Sequence, residues 1–235
     1  MIVALYRLML RTQVTRGRVG ALAALGLVGV VVGFALGASD LEDPLESGTR
    51  FINTFGLSLL VPVACLVFAS SALGDPSEDG TLVYLWLRPV ARWKIALAAA
   101  LASFTVTWPV VVVPLVTAAL LTGAGGNLVL ATMAAATAGM IAYTAIFVAL
   151  GLRVRRALVW GLLYIFIWEG FVATANTTAA RLAIRSYSRS LLADITDVQL
   201  RLADFTVAAS WLVPAAVAAV ALLYTSARLR RQDVA

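Results

Sequence analysis

The chain contains no histidine, one cysteine and few charged residues, 13% in all. The first absence removes His-based metal sites, His-dependent triads and His proton relays. The single thiol, Cys65, lies inside an apolar run. It permits neither an intrachain disulfide nor a Cys-x-x-Cys metal site, and reads as a small packing residue. The only lysine, Lys94, stands between Trp93 and Ile95. A P-loop needs Gly-Lys-Ser/Thr, so the chain carries no standard ATP-binding loop. Soluble domains are about 25% charged; a chain half as charged and 62% apolar points to lipid as its solvent.

A bilayer core of about 30 Å takes roughly 20 apolar residues in a helix. Six stretches of that kind occur, about 20–38, 51–74, 95–121, 128–152, 157–175 and 205–227. Each is expected to be helical, because lipid offers no partner to backbone N–H and C=O groups. The reading is an all-α polytopic membrane protein, one transmembrane domain over residues 1–235. The third stretch is longer than needed and holds Pro109 and Pro114, so a tilted or bent helix is expected there.

The arginines orient the spans. Arg7, Arg11, Arg16, Arg18, Arg88, Arg92, Lys94, Arg153, Arg155, Arg156, Arg228, Arg230 and Arg231 fall on one side, against Arg50, Arg181, Arg185, Arg189 and Arg201 on the other. The positive-inside rule puts the first set, and both termini, in the cytoplasm of a plasma (inner) membrane protein. The net charge of +6 is thereby explained without nucleic acid. The acidic loop Ser39–Arg50 falls outside. The basic leading segment is long and no small-x-small cleavage site follows it cleanly, so a secretory signal peptide is not expected.

Residues 1–18 read as an interfacial helix, with Arg7, Arg11 and Arg18 towards lipid headgroups and Leu5, Leu8 and Met9 largely off that face. The long connection 176–204 is expected to form one or two short outer helices. There Arg181, Arg185 and Arg189 are spaced to share a face, and Asp197 and Arg201 form an i,i+4 pair. The three-arginine stripe is either a solvated face or a contact for cargo or anionic lipid.

The connection 75–92 carries most information. Asp75 can cap a helix with Pro76 at its first position and Glu78 three residues on. Leu82, Leu85 and Trp86 then form an apolar stripe, and Arg88-Pro89 ends it. A short amphipathic helix across the cytoplasmic mouth is expected. Its acidic residue (Glu78 or Asp79), Gly80-Thr81-Leu82, apolar stretch and Arg88-Pro89-Val90-x-Arg92 resemble the permease subunits of type-2 ABC (ATP-binding cassette) exporters. Six spans, inside termini, the basic leader, the long outer segment and Trp168-Glu169-Gly170 extend the likeness. Trp86 departs from the leucine common there.

The resemblance implies that two permease chains, identical or not, form the pathway. It also implies that each docks on a separate ATPase subunit, which binds ATP and Mg, through a coupling helix. That contact would involve Asp75, Glu78, Asp79, Gly80, Thr81, Leu82, Leu85, Trp86, Arg88, Pro89 and Arg92. The chain itself would bind no cofactor or metal and hold no catalytic residue. The cargo is expected to be a small amphipathic molecule or a lipid.

Glu169 stands about 12 residues, or roughly 18 Å, into the fifth span. A carboxylate at such depth marks a pathway or a structural partner. The structural alternatives are a cap on a neighbouring helix and a pair with an arginine such as Arg181. Other function classes remain: a secondary transporter or channel working without ATP, or a scaffold without transport. Against coupling to ions, the spans carry no other charge. Against a membrane-embedded enzyme, no nucleophile has an evident base and no acidic cluster lies in a span.

Overall fold

The computed structural model describes residues 2–39, 42–80, 91–175, 177–202 and 204–231. Among these the chain is helical with no strand. A short helix, α1 (Ile2–Gln13), precedes α2 (Arg16–Gly37). Then follow α3 (Pro44–Glu78), α4 (Arg92–Leu121), α5 (Gly126–Arg153) and α6 (Ala157–Ala175). The helix α7 (Ile184–Thr196) precedes the last, α8 (Val207–Arg231). Helices α2, α3, α4, α5, α6 and α8 are long and apolar enough to cross a membrane. They coincide with the six expected stretches to within a few residues, except at α3.

The core is built on α5. Its buried side is largely small: Ala131, Ala135, Ala136, Ala138, Gly139, Ala142 and Gly151. Without a hydrophobic drive between helices in lipid, close approach and dispersion hold spans together, and small residues permit that approach. At Gly151 an added Cβ would collide with the Ser70 backbone of α3, and at Gly161 with Leu66. The first span uses the same device. Leu22, Gly26, Gly29 and Gly33 form its buried seam. A Cβ at Gly26 would lie 2.8 Å from Cγ of Pro114, and one at Gly33 would lie 2.6 Å from the Ala118 carbonyl, both on α4. Pro114 thus fits its ring into a glycine notch. Helix α4 continues through both Pro109 and Pro114. The outer sides of α2, α6 and α8 expose large apolar residues such as Phe34, Phe171 and Leu212, as lipid-facing helices do.

Several ends differ from expectation. The leading helix stops at Gln13, and Thr15 caps α2 by accepting the Arg18 N–H at 3.4 Å. Arg16 and Arg18 therefore belong to the first turn of the first span. Leu5, Met9 and Gln13 face inward, Arg7, Arg11 and Leu8 outward, and the Tyr6 hydroxyl donates to Thr105 of α4 at 3.0 Å. The α3 helix begins in the acidic loop, where Asp43 accepts the Glu46 N–H at 2.9 Å and Pro44 takes the first position. It then runs without a break past the apolar stretch to Glu78. Two nine-residue segments, Ile52–Leu60 in α3 and Tyr164–Val172 in α6, are wound as π-helix, a rare form that recurs at functional sites.

Candidate functional site

Two places gather the polar groups of this apolar chain. The first is the basic end of α3. Asp75 starts no helix, which corrects the capping expected there. It sits in the last turn of α3, and Pro76 lies inside the helix. Asp79 closes the helix, its N–H bonded to the Asp75 carbonyl at 2.9 Å, and Gly80 takes a left-handed φ of 69°. Glycine reaches that conformation without a Cβ penalty and so ends the helix.

The carboxylates freed from capping reach other helices. Asp75 accepts from the Arg18 guanidinium of α2 at 2.8 Å. Glu78 accepts the backbone N–H of Arg156 at 2.9 Å. Arg156 is the residue before α6 and holds a left-handed φ of 57°. The end of the second span is thereby bonded to the start of the first and the start of the fifth. It also lies against the fourth, since a Cβ at Gly74 would stand 3.4 Å from the Gly151 carbonyl. Arg92 opens α4. Thr81, Leu82, Leu85, Trp86, Arg88 and Pro89, and with them the amphipathic stripe, lie outside the described residues.

The second place is buried nearer the opposite end, centred on the π-wound segment of α6. Glu169 is 1% exposed. One carboxylate oxygen accepts the Tyr143 hydroxyl. The other accepts the Tyr164 hydroxyl at 3.1 Å and the Ile184 N–H at 3.2 Å. Ile184 is the first residue of α7, and the preceding Ala183 has no side-chain acceptor for the free N–H groups there. Glu169 therefore supplies a remote helix cap. Of the two structural alternatives open in the sequence, the cap is the one realised. Arg181 is exposed, and its carbonyl accepts the Tyr187 hydroxyl at 2.8 Å. Phe147 stacks on Tyr143 with ring centroids 5.8 Å apart and meets Tyr164 edge-on, which fixes both phenols.

The three-arginine stripe is not realised: Arg181 lies exposed ahead of α7, while Arg185 and Arg189 on α7 turn inward. Arg185 is 9% and Arg189 8% exposed, so these two do not form the solvated face considered for them. Arg189 donates to the side-chain amide oxygen of Asn53, in the α3 π-segment, at 3.0 Å and to the Arg201 backbone carbonyl at 2.7 Å. Burial pulls the Arg189 guanidinium down to about 10, and the Arg185 charge acts in the same direction. It still carries its proton at neutral pH. Asp197 ends α7 in a left-handed conformation, so it and Arg201 do not share a helix as expected. Asn53, Tyr143 and Tyr164 were not foreseen. Their only signal was polarity inside otherwise apolar stretches.

Glu169 is surrounded by donors committed to it. Its role in this arrangement is to hold α7 on α5 and α6. Among the described residues no group of histidine, cysteine, aspartate or glutamate is arranged to hold a metal. No protein-family model matches the chain, and a search of curated proteins finds none similar to it.

Proposed function

We propose that this chain is the membrane-spanning subunit of an ATP-driven exporter of the type-2 ABC class. It would pair with a second permease chain and dock on a separate ATPase that binds ATP and Mg. The observation that carries the reading is the bonded end of α3. The connection bearing the family-like residues, Thr81 to Val90, leaves directly from Gly80. Any force on that connection meets a rigid helix end, tied to α2 through Asp75 and to α6 through Glu78 and seated on α5.

ATPase closure would push the connection, and the two carboxylate ties would move α2 and α6 with α3, while α5 follows through its packing on Gly74. Leu82, Leu85 and Trp86 would supply the apolar anchors in the ATPase groove, with Glu78, Asp79, Arg88 and Arg92 setting register by charge. Both termini and this docking surface would face the cytoplasm at the plasma membrane. The cargo class that suits apolar spans is a small amphipathic molecule or a lipid.

The test is purification from the native membrane in mild detergent with mass spectrometry of bound chains. A stoichiometric P-loop ATPase is expected, lost when Leu85 and Trp86 become aspartate while membrane insertion persists. Absence of any ATPase, under conditions that keep a known exporter whole, overturns the proposal in favour of a transporter or scaffold acting alone.

A further inference from the structure

A groove of about 510 Å³ runs between α5 and α8, lined by Ile146, Ala149, Val213, Ala216, Val220 and Tyr224 among others. Apart from the Tyr224 hydroxyl its named lining is hydrocarbon. From Val213 to Tyr224 it extends about 16 Å along α8 at the rise of a helix. That is close to one leaflet of a core about 30 Å thick.

The groove is apolar along its length and cationic at one end. Arg153 closes α5 and donates to the Tyr224 hydroxyl at 3.1 Å. This hydrogen bond parks the guanidinium at the mouth and takes one of its five N–H donors. Arg228 stands one turn beyond Tyr224 on the same face of α8, and its Nε is shielded from solvent without a partner. Among the described residues the ion pairs are Arg18 with Asp75 and Arg50 with Glu46; Arg153 and Arg228 belong to neither. Their position at helix C-termini, where carbonyl ends attract cations, accounts for two positive charges. It leaves open what neutralises them.

We propose that this groove holds one acyl chain of an anionic phospholipid, whose phosphate is bound by Arg153 and Arg228. The apolar wall matches the chain, its length matches a leaflet, and the uncompensated charge at the mouth selects a net-negative headgroup over a zwitterionic one. The site stands independently of the exporter reading, since it uses no part of the connection 75–92.

The experiment uses the full chain in nanodiscs of equal phosphatidylglycerol and phosphatidylcholine, followed by gentle extraction and native mass spectrometry. One phosphatidylglycerol per chain is expected, retained about tenfold over phosphatidylcholine, the factor that one charge-assisted contact supplies. Arg153→Ala should remove most of that preference. Val220→Trp should displace both lipids by filling the groove, with Ala216→Leu as the milder alternative should the tryptophan unfold the chain. Thermal unfolding in detergent identifies any variant that has merely lost its fold. Equal retention of the two lipids overturns the proposal, as does a preference that survives Arg153→Ala. Efficient disulfide pairing of two Val220→Cys chains also overturns it, because a second copy would then occupy the groove.

Discussion

Glu169 shows what one carboxylate can organise inside a membrane. Three donors from three elements converge on it: the Tyr143 hydroxyl of α5, the Tyr164 hydroxyl of its own π-segment and the first N–H of α7. Glu169→Gln keeps one acceptor oxygen for the Tyr164 hydroxyl and the Ile184 N–H and presents an amide N–H to Tyr143, whose phenol must turn from donor to acceptor, so a charge-assisted bond is exchanged for a neutral one. The expected cost is about 1 kcal/mol, the difference between a charge-assisted and a neutral hydrogen bond. It would be read as a lower unfolding midpoint in detergent. Tyr143→Phe should cost less in the Glu169→Gln background than in the native chain, because the two share one interaction. Strictly additive losses would show that the phenol acts on its own. ATPase association should survive Glu169→Gln, since the cluster lies at the far end of the spans from Glu78.

The arginines near this cluster explain a limit of sequence reading at the same scale. Spacing by four placed Arg181, Arg185 and Arg189 on one face; the helix begins only at Ile184, so Arg185 and Arg189 share a side of α7 and Arg181 does not. Spacing does not tell which side faces inward. That depended on Asn53, 136 residues upstream, which does not mark itself as a partner, and on Glu169, for which the sequence left a helix cap and an arginine pair both open.

At the scale of the element, α3 carries the same pattern, Asp-Pro-x-Glu, at both ends. Asp43-Pro44-Leu45-Glu46 caps the helix as the pattern predicts. Asp75-Pro76-Ser77-Glu78 lies in its last turn. Local chemistry is identical in the two tetrapeptides, so no local rule separates them. Packing decides: Ser70 and Gly74 are seated on Gly151, and this contact carries the helix on through Pro76. The carboxylates are then free to bind Arg18 and the Arg156 N–H. Glu78→Gln should weaken the latter bond by removing charge while leaving Leu82, Leu85 and Trp86, the apolar anchors of the proposed docking contact, in place. On the exporter proposal, ATPase association should persist through the apolar anchors, weakened by the loss of one register-setting charge, with ATP hydrolysis less responsive to cargo, measured on the reconstituted complex. Unchanged responsiveness would leave the carboxylate tie a matter of stability alone.

The glycine seam of α2 gives a second test on this scale. At Gly33 a Cβ would meet the Ala118 backbone, which cannot rotate away, whereas at Gly20 nothing lies within 4 Å. Gly33→Ala should therefore destabilise, by about 1–3 kcal/mol as overpacked sites do. Gly20→Ala should be neutral or stabilise by up to about 1 kcal/mol through reduced backbone freedom. Thermal unfolding of the two variants, side by side, checks both signs.

For the whole molecule, the span count and most boundaries were legible because lipid imposes one rule everywhere: long apolar runs must be helices. Orientation was argued from arginine placement, and it has a direct check. A cysteine at Glu46 should be labelled by a membrane-impermeant reagent only from outside, and one at Glu78 only from the cytoplasm. The reverse pattern would invert the molecule. Native background should be low, because Cys65 is fully buried. The buried polar cluster was less legible, since its members come from four helices that become neighbours only after the spans associate.

That last point bears on how the protein is made. Ribosomes deliver the chain from its N-terminus, so Tyr143 emerges before Glu169, and Ile184 after it. When the fifth span first meets lipid, its carboxylate has phenols available but no α7 to cap, and an acid in hydrocarbon opposes insertion. The fourth and fifth spans are thus best delivered to the bilayer as a hairpin, with the tyrosines escorting the acid. Helix α7 can settle only afterwards, when its leading N–H finds the carboxylate already in place.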